Sequence, residues 1–196
     1  MRSARRGSTS PDVLCGAQSG DQIGRPGAAL CGSAGRRKLQ TDRMQPSWTI
    51  RALAVADRAS WQILWDGYNA FYGRAGATAL PAEVTEVLWT RLFDPAEPVH
   101  ARVAEQAGRV VGLVHYLFHR STTMIAPICY LQDLFTEPAL RGHGAGRALI
   151  EAVYRDAAAA GSTRVYWQTH ETNTAARALY DKVAERSGFI VYRQQL

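Results

Sequence analysis

Cysteine is scarce in this sequence, and long hydrophobic stretches are missing from it. The chain has three cysteines, Cys15, Cys31 and Cys129, which is an odd number without the close pairs that bind zinc. This pattern argues against a disulfide scaffold and suits a reducing compartment, so we expect a cytoplasmic protein. No apolar run approaches the roughly 20 residues of a membrane-spanning helix. We therefore expect neither a metal site nor a membrane partner.

The positive charge is concentrated at one end of the chain. The formal net charge is +6, and residues 1–43 hold eight basic residues against three acidic ones. This Gly-, Ser- and Arg-rich segment has no lasting helical or strand periodicity, so we predict a disordered tail, with Met44 as an alternative start. A transit peptide and a nucleic-acid-binding arm are open alternatives for the tail. Residues 44–196 are almost neutral, so nucleic acid is not an expected partner of the domain.

Residues 44–196 have the periodicity of one globular α/β domain. The predicted strands are residues 48–53, 101–106, 109–119, 128–136, 164–169 and 189–193. The predicted helices are residues 57–72, 82–93, 147–160 and 173–186. A hairpin joins two of the early strands, which predicts antiparallel pairing, whereas the later strand–helix–strand unit predicts a parallel pair. We therefore expect a mixed, mostly antiparallel sheet with a central parallel pair and helices on both faces.

A glycine-rich turn follows the predicted strand at 128–136 and opens the next helix. Glycines such as Gly142 and Gly144 allow close backbone approach, and the N–H groups of the turn and helix N-terminus favour an anion such as a pyrophosphate. Arg141 and Arg147 add permanent positive charge on either side. The spacing G-x-G-x-G fits neither the Walker loop nor the Rossmann fingerprint. A merely tight structural turn is the alternative.

This turn also carries a family resemblance. Arg141-x-x-Gly144-x-Gly146 resembles the Q/R-x-x-G-x-G/A signature with which the GNAT N-acetyltransferase superfamily binds acyl-CoA. The run Tyr166–Tyr192 is similar to the end of that fold, and the whole resemblance covers residues 48–192. The branch of bacterial polyamine- and histone-acetyltransferase-like proteins is the most similar. The resemblance implies a GNAT fold, acetyl-CoA as cosubstrate, and a primary amine of a polyamine-like small molecule, a protein lysine or a protein N-terminus as acceptor.

The resemblance also implies which residues bind the cofactor. The backbone of residues 134–136 would pair with the pantetheine arm, and the glycine-rich turn would bind the pyrophosphate. Asn173 would contact the cofactor, although asparagine is also a good helix N-cap. The implied cofactor-binding residues are Leu134, Phe135, Thr136, Arg141, Gly142, His143, Gly144, Ala145, Gly146, Arg147 and Asn173. Tyr180 would protonate the departing thiolate, with a core tyrosine as the alternative.

Two acidic residues are candidates for the general base. Polyamine-acetylating relatives carry adjacent Glu and Asp on the strand where this chain reads Leu131-Gln132-Asp133, and glutamine cannot act as a base. Asp133 is the first candidate and Glu171 the second, while a purely structural role is the alternative for Asp133. No cysteine is placed to act as a nucleophile, so we expect direct attack in a ternary complex. A non-catalytic acyl-CoA-binding regulatory module is the alternative function.

Three further features leave choices open. The aromatic residues of the first predicted helix, such as Trp65 and Tyr68, are predicted to be core, although some could pack on a cationic amine. His115 and His119 share one face of a strand, where a structural role is the simplest interpretation. A homodimer, in which the final strand pairs across a subunit boundary, is an expectation from the family resemblance alone.

Overall fold

Five strands form the centre of the structure, a computed structural model that describes residues 47–196. They are β1 (Thr49–Ala52), β2 (Val99–Gln106), β3 (Arg109–His119), β4 (Ile128–Thr136) and β5 (Val165–Tyr166). The strands lie side by side in chain order; each pair is antiparallel except β4 and β5, which are parallel. The predicted mixed sheet with a parallel pair is therefore confirmed. The tail predicted at residues 1–43 lies outside the described residues.

Helices cover both faces of this sheet. They are α1 (Arg58–Phe71), α2 (Ala82–Arg91), α3 (Ala145–Ala159) and α4 (Thr174–Tyr180). Buried residues of α1 pack with Val103 and Leu113 on one face, where α2 also contributes, and buried residues of α3 pack with Val114 and Cys129 on the other. Two cores thus fix the helices to the sheet. Within residues 47–196, no helix has the length and apolar character needed to cross a membrane.

A β-bulge interrupts β4. His115 of β3 lies opposite Asp133, but the next residue, Tyr116, lies opposite Leu131, so Gln132 is the extra residue on β4. An extra residue reverses the faces of a strand, because side chains alternate with a period of two. Leu131 accordingly packs in the core beneath α3, whereas Phe135 packs in the core beneath α1. The bulge therefore turns Asp133 toward α1 and α2.

The predicted hairpin between β2 and β3 is confirmed. Its two turn residues, Ala107 and Gly108, have φ angles of 49° and 77°. Positive φ at both central residues is the mark of a type I′ turn, whose twist matches that of the flanking strands. The hairpin aligns β3 so that its buried residues reach both cores.

The last part of the chain differs from the sequence prediction. No strand forms at residues 189–193, where Phe189 and Tyr192 are 90% and 88% exposed. A β-strand forms only where a neighbouring strand accepts and donates its backbone hydrogen bonds. The alternation of apolar residues shows that a segment can pair in this way but does not supply the neighbour. The helix predicted to reach residue 186 ends at Tyr180, after which Val183 donates to the Tyr180 carbonyl in a tighter turn. The strand predicted at 164–169 is only the two residues of β5.

Candidate active site

The parallel pair separates soon after it begins. Ladder partners join only Cys129 to Val165 and Tyr130 to Tyr166, so from Leu131 onward no strand formed by residues 47–196 lies beside this edge of β4. The gap is a cavity of about 550 Å³, here called the β4–β5 cleft, which also reaches the start of α3 and one side of α4. Its wall includes backbone N–H and C=O groups of β4 that an extended ligand could pair with.

The glycine-rich turn closes one end of the β4–β5 cleft. Gly142 and Gly144 have φ angles of 80° and 96°, in the left-handed region that glycine adopts without steric cost. Gly144 is the N-cap of α3, whose first N–H groups have no acceptor within the helix. A Cβ at Gly146 would lie 3.3 Å from Leu179 Cδ2, so glycine here allows α3 and α4 to approach closely. The turn thus presents donors and the positive end of a helix dipole.

Basic side chains surround this end of the cleft. The Arg141 guanidinium lies over the rings of Phe71 and Phe135, at 5.8 and 5.4 Å from their centroids. Arg147 is exposed and has a 3.9 Å contact to Glu151, a weak surface pair. Both arginines line the cleft, as does Lys182. The donor set suits a phosphate-bearing ligand, and the open strand edge suits an extended arm attached to it.

The structure brings together most residues that the sequence predicted for cofactor binding. Those that line the β4–β5 cleft are Leu134, Phe135, Thr136, Arg141, Gly142, Gly144, Ala145, Gly146, Arg147 and Asn173. His143 is not among the lining residues; its side chain is exposed and its carbonyl accepts a hydrogen bond from Trp48 Nε1 at 2.8 Å. Asn173 is the N-cap of α4, with Oδ1 accepting from the Ala176 N–H at 3.4 Å.

Tyr180 lies in the same cleft, at the end of α4. Its ring contacts Trp167 edge-on, with the centroids 5.3 Å apart. Burial raises the pKa of Tyr180 to about 12, with a smaller contribution from Tyr72. The phenol is therefore protonated at neutral pH and can donate a proton to a group in the cleft.

A second cavity lies on the other side of the bulge. This α1–α2 cavity, of about 650 Å³, lies between the two helices and the neighbouring parts of β3 and β4. Tyr68 and Gln132 line both cavities, so the two meet at these residues. The charged residues that line the α1–α2 cavity are Arg74, Glu83, Arg91 and Asp133.

A buried hydrogen-bond chain holds Asp133 in place. Trp61 Nε1 donates to His115 Nε2 at 2.9 Å, and His115 Nδ1 lies 3.0 Å from Asp133 Oδ2. Because an indole N–H can only donate, His115 Nε2 must accept, and the neutral ring carries its proton on Nδ1. His115 therefore donates to the carboxylate. Tyr68 is close enough that its pKa is raised well above the usual range, first by burial and then by the negative charge of Asp133.

The other candidate residues lie away from this junction. Glu171 is exposed and lines neither cavity, and its carbonyl accepts from Arg177. His119 Nε2 is 3.0 Å from the Tyr166 hydroxyl, so the two strand histidines have separate partners. Within residues 47–196, no cluster of three or more His, Cys, Asp or Glu side chains is arranged to hold a metal ion.

Sequence reasoning missed two features of the site. Arg74 is in the loop after α1, a position that no periodicity distinguishes, and its place in the α1–α2 cavity depends on tertiary packing. The sequence favours a structural role for His115. Its contact with Asp133 depends on the register between β3 and β4, which the sequence does not show. The sequence offers one signal for this contact. Polar and apolar side chains alternate along both strands, which places polar residues on a shared face without fixing their partners.

Comparison with known proteins identifies the family. The Acetyltransferase (GNAT) family model matches residues 60–184. The chain is also 31% identical over 159 residues to the D-amino-acid N-acetyltransferase HPA3 of Saccharomyces cerevisiae, covering 80% of this chain and 94% of that protein. The chain belongs to the GNAT acetyltransferase family. It is therefore an N-acetyltransferase of a family that uses acetyl-CoA as cosubstrate.

Two further GNAT proteins agree with this assignment. The uncharacterized N-acetyltransferase YhfO of Bacillus subtilis is 29% identical over 145 residues, covering 73% of this chain and 94% of YhfO. The solved structure of the aminoglycoside N-acetyltransferase AAC(6')-Iy superposes with a TM-score of 0.64 at 16% identity, covering 76% of this chain and 99% of that chain. That structure shares the fold. The family model and the yeast relative establish the GNAT superfamily, and none of these similarities selects the polyamine- and histone-acetyltransferase-like branch.

Proposed function

We propose that this chain transfers the acetyl group of acetyl-CoA to a primary amine bound in the α1–α2 cavity, by direct attack in a ternary complex. One observation carries the proposal: the β4–β5 cleft and the α1–α2 cavity meet at Tyr68 and Gln132. The thioester and the amine can therefore meet there. Asp133 lies on the amine side and Tyr180 on the cofactor side.

The cleft residues fit acetyl-CoA. The donors of the glycine-rich turn, with Arg141 and Arg147, would bind the pyrophosphate, and the free edge of β4 at 134–136 would pair with the pantetheine amides. Acetyl-CoA supplies a thioester whose acyl carbon accepts the amine nitrogen. Asn173 keeps its capping bond, and one of its Nδ2–H groups donates to Thr169 Oγ1 at 3.3 Å, so the other Nδ2–H would contact the cofactor.

Two residues would move the protons. The amine reaches the site as an ammonium ion, and Asp133 would accept a proton from it to expose the nitrogen lone pair. The nitrogen–carbon bond then forms as the carbon–sulfur bond breaks, and Tyr180 would donate its phenolic proton to the leaving sulfur. The acylated nitrogen then loses its second proton to the Tyr180 phenolate, and the proton on Asp133 leaves to solvent through the α1–α2 cavity. The products are the acetylated amine, free CoA and one released proton, so the reaction balances without a further reactant.

Cys129 supports direct transfer over a covalent enzyme intermediate. Its side chain is buried in the core beneath α3, and burial raises the pKa of the thiol to about 12. A thiol that is protonated and shielded from both cavities is a poor nucleophile. From the small and odd number of cysteines we also propose that the protein works in a reducing compartment, the cytoplasm.

The acceptor is the part of the function with the most alternatives. The yeast relative is named as a D-amino-acid N-acetyltransferase, which makes free amino acids the first class to test. A polyamine-like amine, a protein lysine and a protein N-terminus are the other classes. Gln132 lines the junction where the polyamine-acetylating pattern has an acid, so a second carboxylate is missing there.

The test is CoA release by the full chain with a panel of amines. The panel contains D- and L-amino acids, simple alkylamines, spermidine and a lysine peptide, and thiol release is followed against acetyl-CoA alone. We expect turnover with small amines. Binding of CoA in calorimetry without turnover on any amine would contradict the proposal and would favour a non-catalytic acyl-CoA-binding module.

We also propose that two copies form a homodimer through residues 189–192. These residues are apolar and exposed, and the outer edge of β5 has no strand beside it within residues 47–196. An unpaired apolar strand-forming segment and an unpaired sheet edge on the same chain complement each other in a symmetric exchange.

A further inference from the structure

Arg74 brings a positive charge into the cavity that holds Asp133. It lies in the loop after α1, is partly buried, and lines the α1–α2 cavity together with the carboxylate of Asp133. The cavity therefore presents one group that attracts an ammonium ion and one that attracts an anion. None of the roles proposed above for acetyl transfer uses Arg74.

The orientation of the Arg74 side chain is fixed by its neighbours. Its Nε donates to Asn69 Oδ1 at 2.7 Å, and its backbone N–H donates to the Asn69 carbonyl at 2.9 Å. Asn69 is only 5% exposed and is itself held, because its Nδ2 donates to the Trp65 carbonyl at 2.9 Å. The guanidinium also lies over the rings of Tyr68 and Tyr72, 5.6 and 5.4 Å from their centroids. These contacts hold the planar group and leave both terminal nitrogens available.

Among residues 47–196, no carboxylate forms an ion pair with Arg74. The neighbouring cavity arginine differs in this respect, since Arg91 Nε lies 3.3 Å from Glu97 Oε1. Glu86 of α2 is likewise paired, with Arg58. A fixed guanidinium with two available nitrogens matches the two oxygens of a carboxylate, and such fork-to-fork pairs are among the stronger ones in proteins.

We propose that Arg74 binds the carboxylate of the acceptor, so that the acceptor is an α-amino acid held as a zwitterion between Arg74 and Asp133. The inference rests on the proposed function, because it assigns Asp133 to the reacting amine. A diamine or polyamine would bring a second ammonium ion toward Arg74 and would be repelled. Glu83, which is exposed at the start of α2, is the one other carboxylate that lines this cavity.

The experiment compares three acceptors that share one amine and one ring: phenylalanine in both enantiomers, phenylalaninamide and phenethylamine. Each is assayed with the wild-type chain and with Arg74→Gln, Arg74→Lys and Arg155→Gln. We expect Arg74→Gln to lower kcat/KM for phenylalanine at least tenfold, mainly through KM, and to leave phenethylamine within about twofold. Arg74→Lys should recover part of the loss. Arg155→Gln, which removes an exposed arginine of α3 that lines neither cavity, should change none of the three.

The other possible outcomes contradict either the role of Arg74 or the proposed function. Equal losses on all three acceptors in Arg74→Gln would overturn the carboxylate assignment, because a structural defect does not depend on the substrate's charge. Efficient acetylation of phenethylamine or spermidine, with phenylalanine inert, would overturn the inference and leave the proposed function standing. Sensitivity of the spermidine reaction to Glu83→Gln would then assign Glu83 in place of Arg74. No turnover on any amine would overturn the proposed function, and the inference with it.

Discussion

A carboxylate acts as a base only if its proton has somewhere to go. Asp133 cannot pass a proton to His115, because His115 Nδ1 already carries one and His115 Nε2 accepts a hydrogen bond from Trp61. A proton taken from the substrate cannot be passed to the histidine and must leave through the α1–α2 cavity. His115 and Trp61 therefore position the carboxylate and do not carry its proton away.

The change Asp133→Asn tests the base. Asparagine can still accept the hydrogen bond from His115, so we expect a folded protein whose kcat/KM falls about 100-fold or more because the ammonium ion keeps its proton. Steady-state rates measured across the pH range provide the test. Glu171→Gln is the matched control and should behave as the wild type. A normal rate for Asp133→Asn together with a loss in Glu171→Gln would exchange the two assignments.

The change Tyr180→Phe tests the acid. Because the pKa of Tyr180 is raised to about 12, the phenol carries its proton throughout the neutral and mildly alkaline range. We therefore expect kcat to fall about tenfold or more, by the same factor from pH 7 to about 10, with unchanged CoA affinity. Pre-steady-state rates are the appropriate measurement, because slow product release would hide a change in the rate of the chemical step. Tyr192→Phe, which removes the hydroxyl of a tyrosine that lines neither cavity, should have no effect; wild-type turnover in Tyr180→Phe would remove the role.

At the scale of elements, the bulge in β4 and the turn before α3 create the two binding regions. The extra residue Gln132 sends Leu131 to one face of the sheet and Asp133 to the other, which puts the carboxylate of the proposed base in the α1–α2 cavity. The left-handed Gly144 ends the turn and begins α3, so the N-terminus of this helix faces the β4–β5 cleft. The two elements together border the cavities that we assign to the cofactor and the acceptor.

The change Gly144→Ala tests the phosphate site. Alanine at a φ of 96° costs about 1–2 kcal/mol of stability, and relaxing this strain moves the N–H groups that face the cleft. Gly161→Ala is the matched control: its φ is 74°, a Cβ there would meet nothing within 4 Å, and it lies beyond the other end of α3. We expect similar losses of thermal stability, but weaker CoA binding in calorimetry only for Gly144→Ala. Equal CoA affinities would refute a phosphate role for the turn.

At the scale of the whole molecule, a sheet edge and an apolar segment near the end of the chain both lack a partner among the described residues. The edge is the outer side of β5, and the segment is residues 189–192, with Phe189 the most exposed of its large apolar side chains. Exposed segments that consist of β-branched and aromatic residues promote association between chains. Reciprocal pairing would bury these side chains and extend the sheet beyond β5, next to Trp167 of the cleft.

Removal of residues 188–196 tests the dimer. The full chain has a mass of 21.5 kDa, and we expect light scattering after size exclusion to give twice this mass for the wild type and a single-chain mass for the truncated form. The double change Phe189→Asp and Val191→Asp should act like the truncation because it removes only the apolar contacts. Gln194→Ala serves as the control. A single-chain mass for the wild type would contradict the proposed homodimer.

The sequence alone determined the local features, because these depend on neighbours in the chain. Periodicity located the first four strands and most of the helices, glycines marked the turn, and the spacing Arg141-x-x-Gly144-x-Gly146 pointed to the family that comparison confirmed. Only the tertiary structure decided the long-range features. The bulge at Gln132 exists through the register of β4 against β3, and the contacts of His115 and Arg74 depend on packing between elements. The pattern at 189–193 carried strand propensity, but pairing requires a neighbour that propensity does not supply.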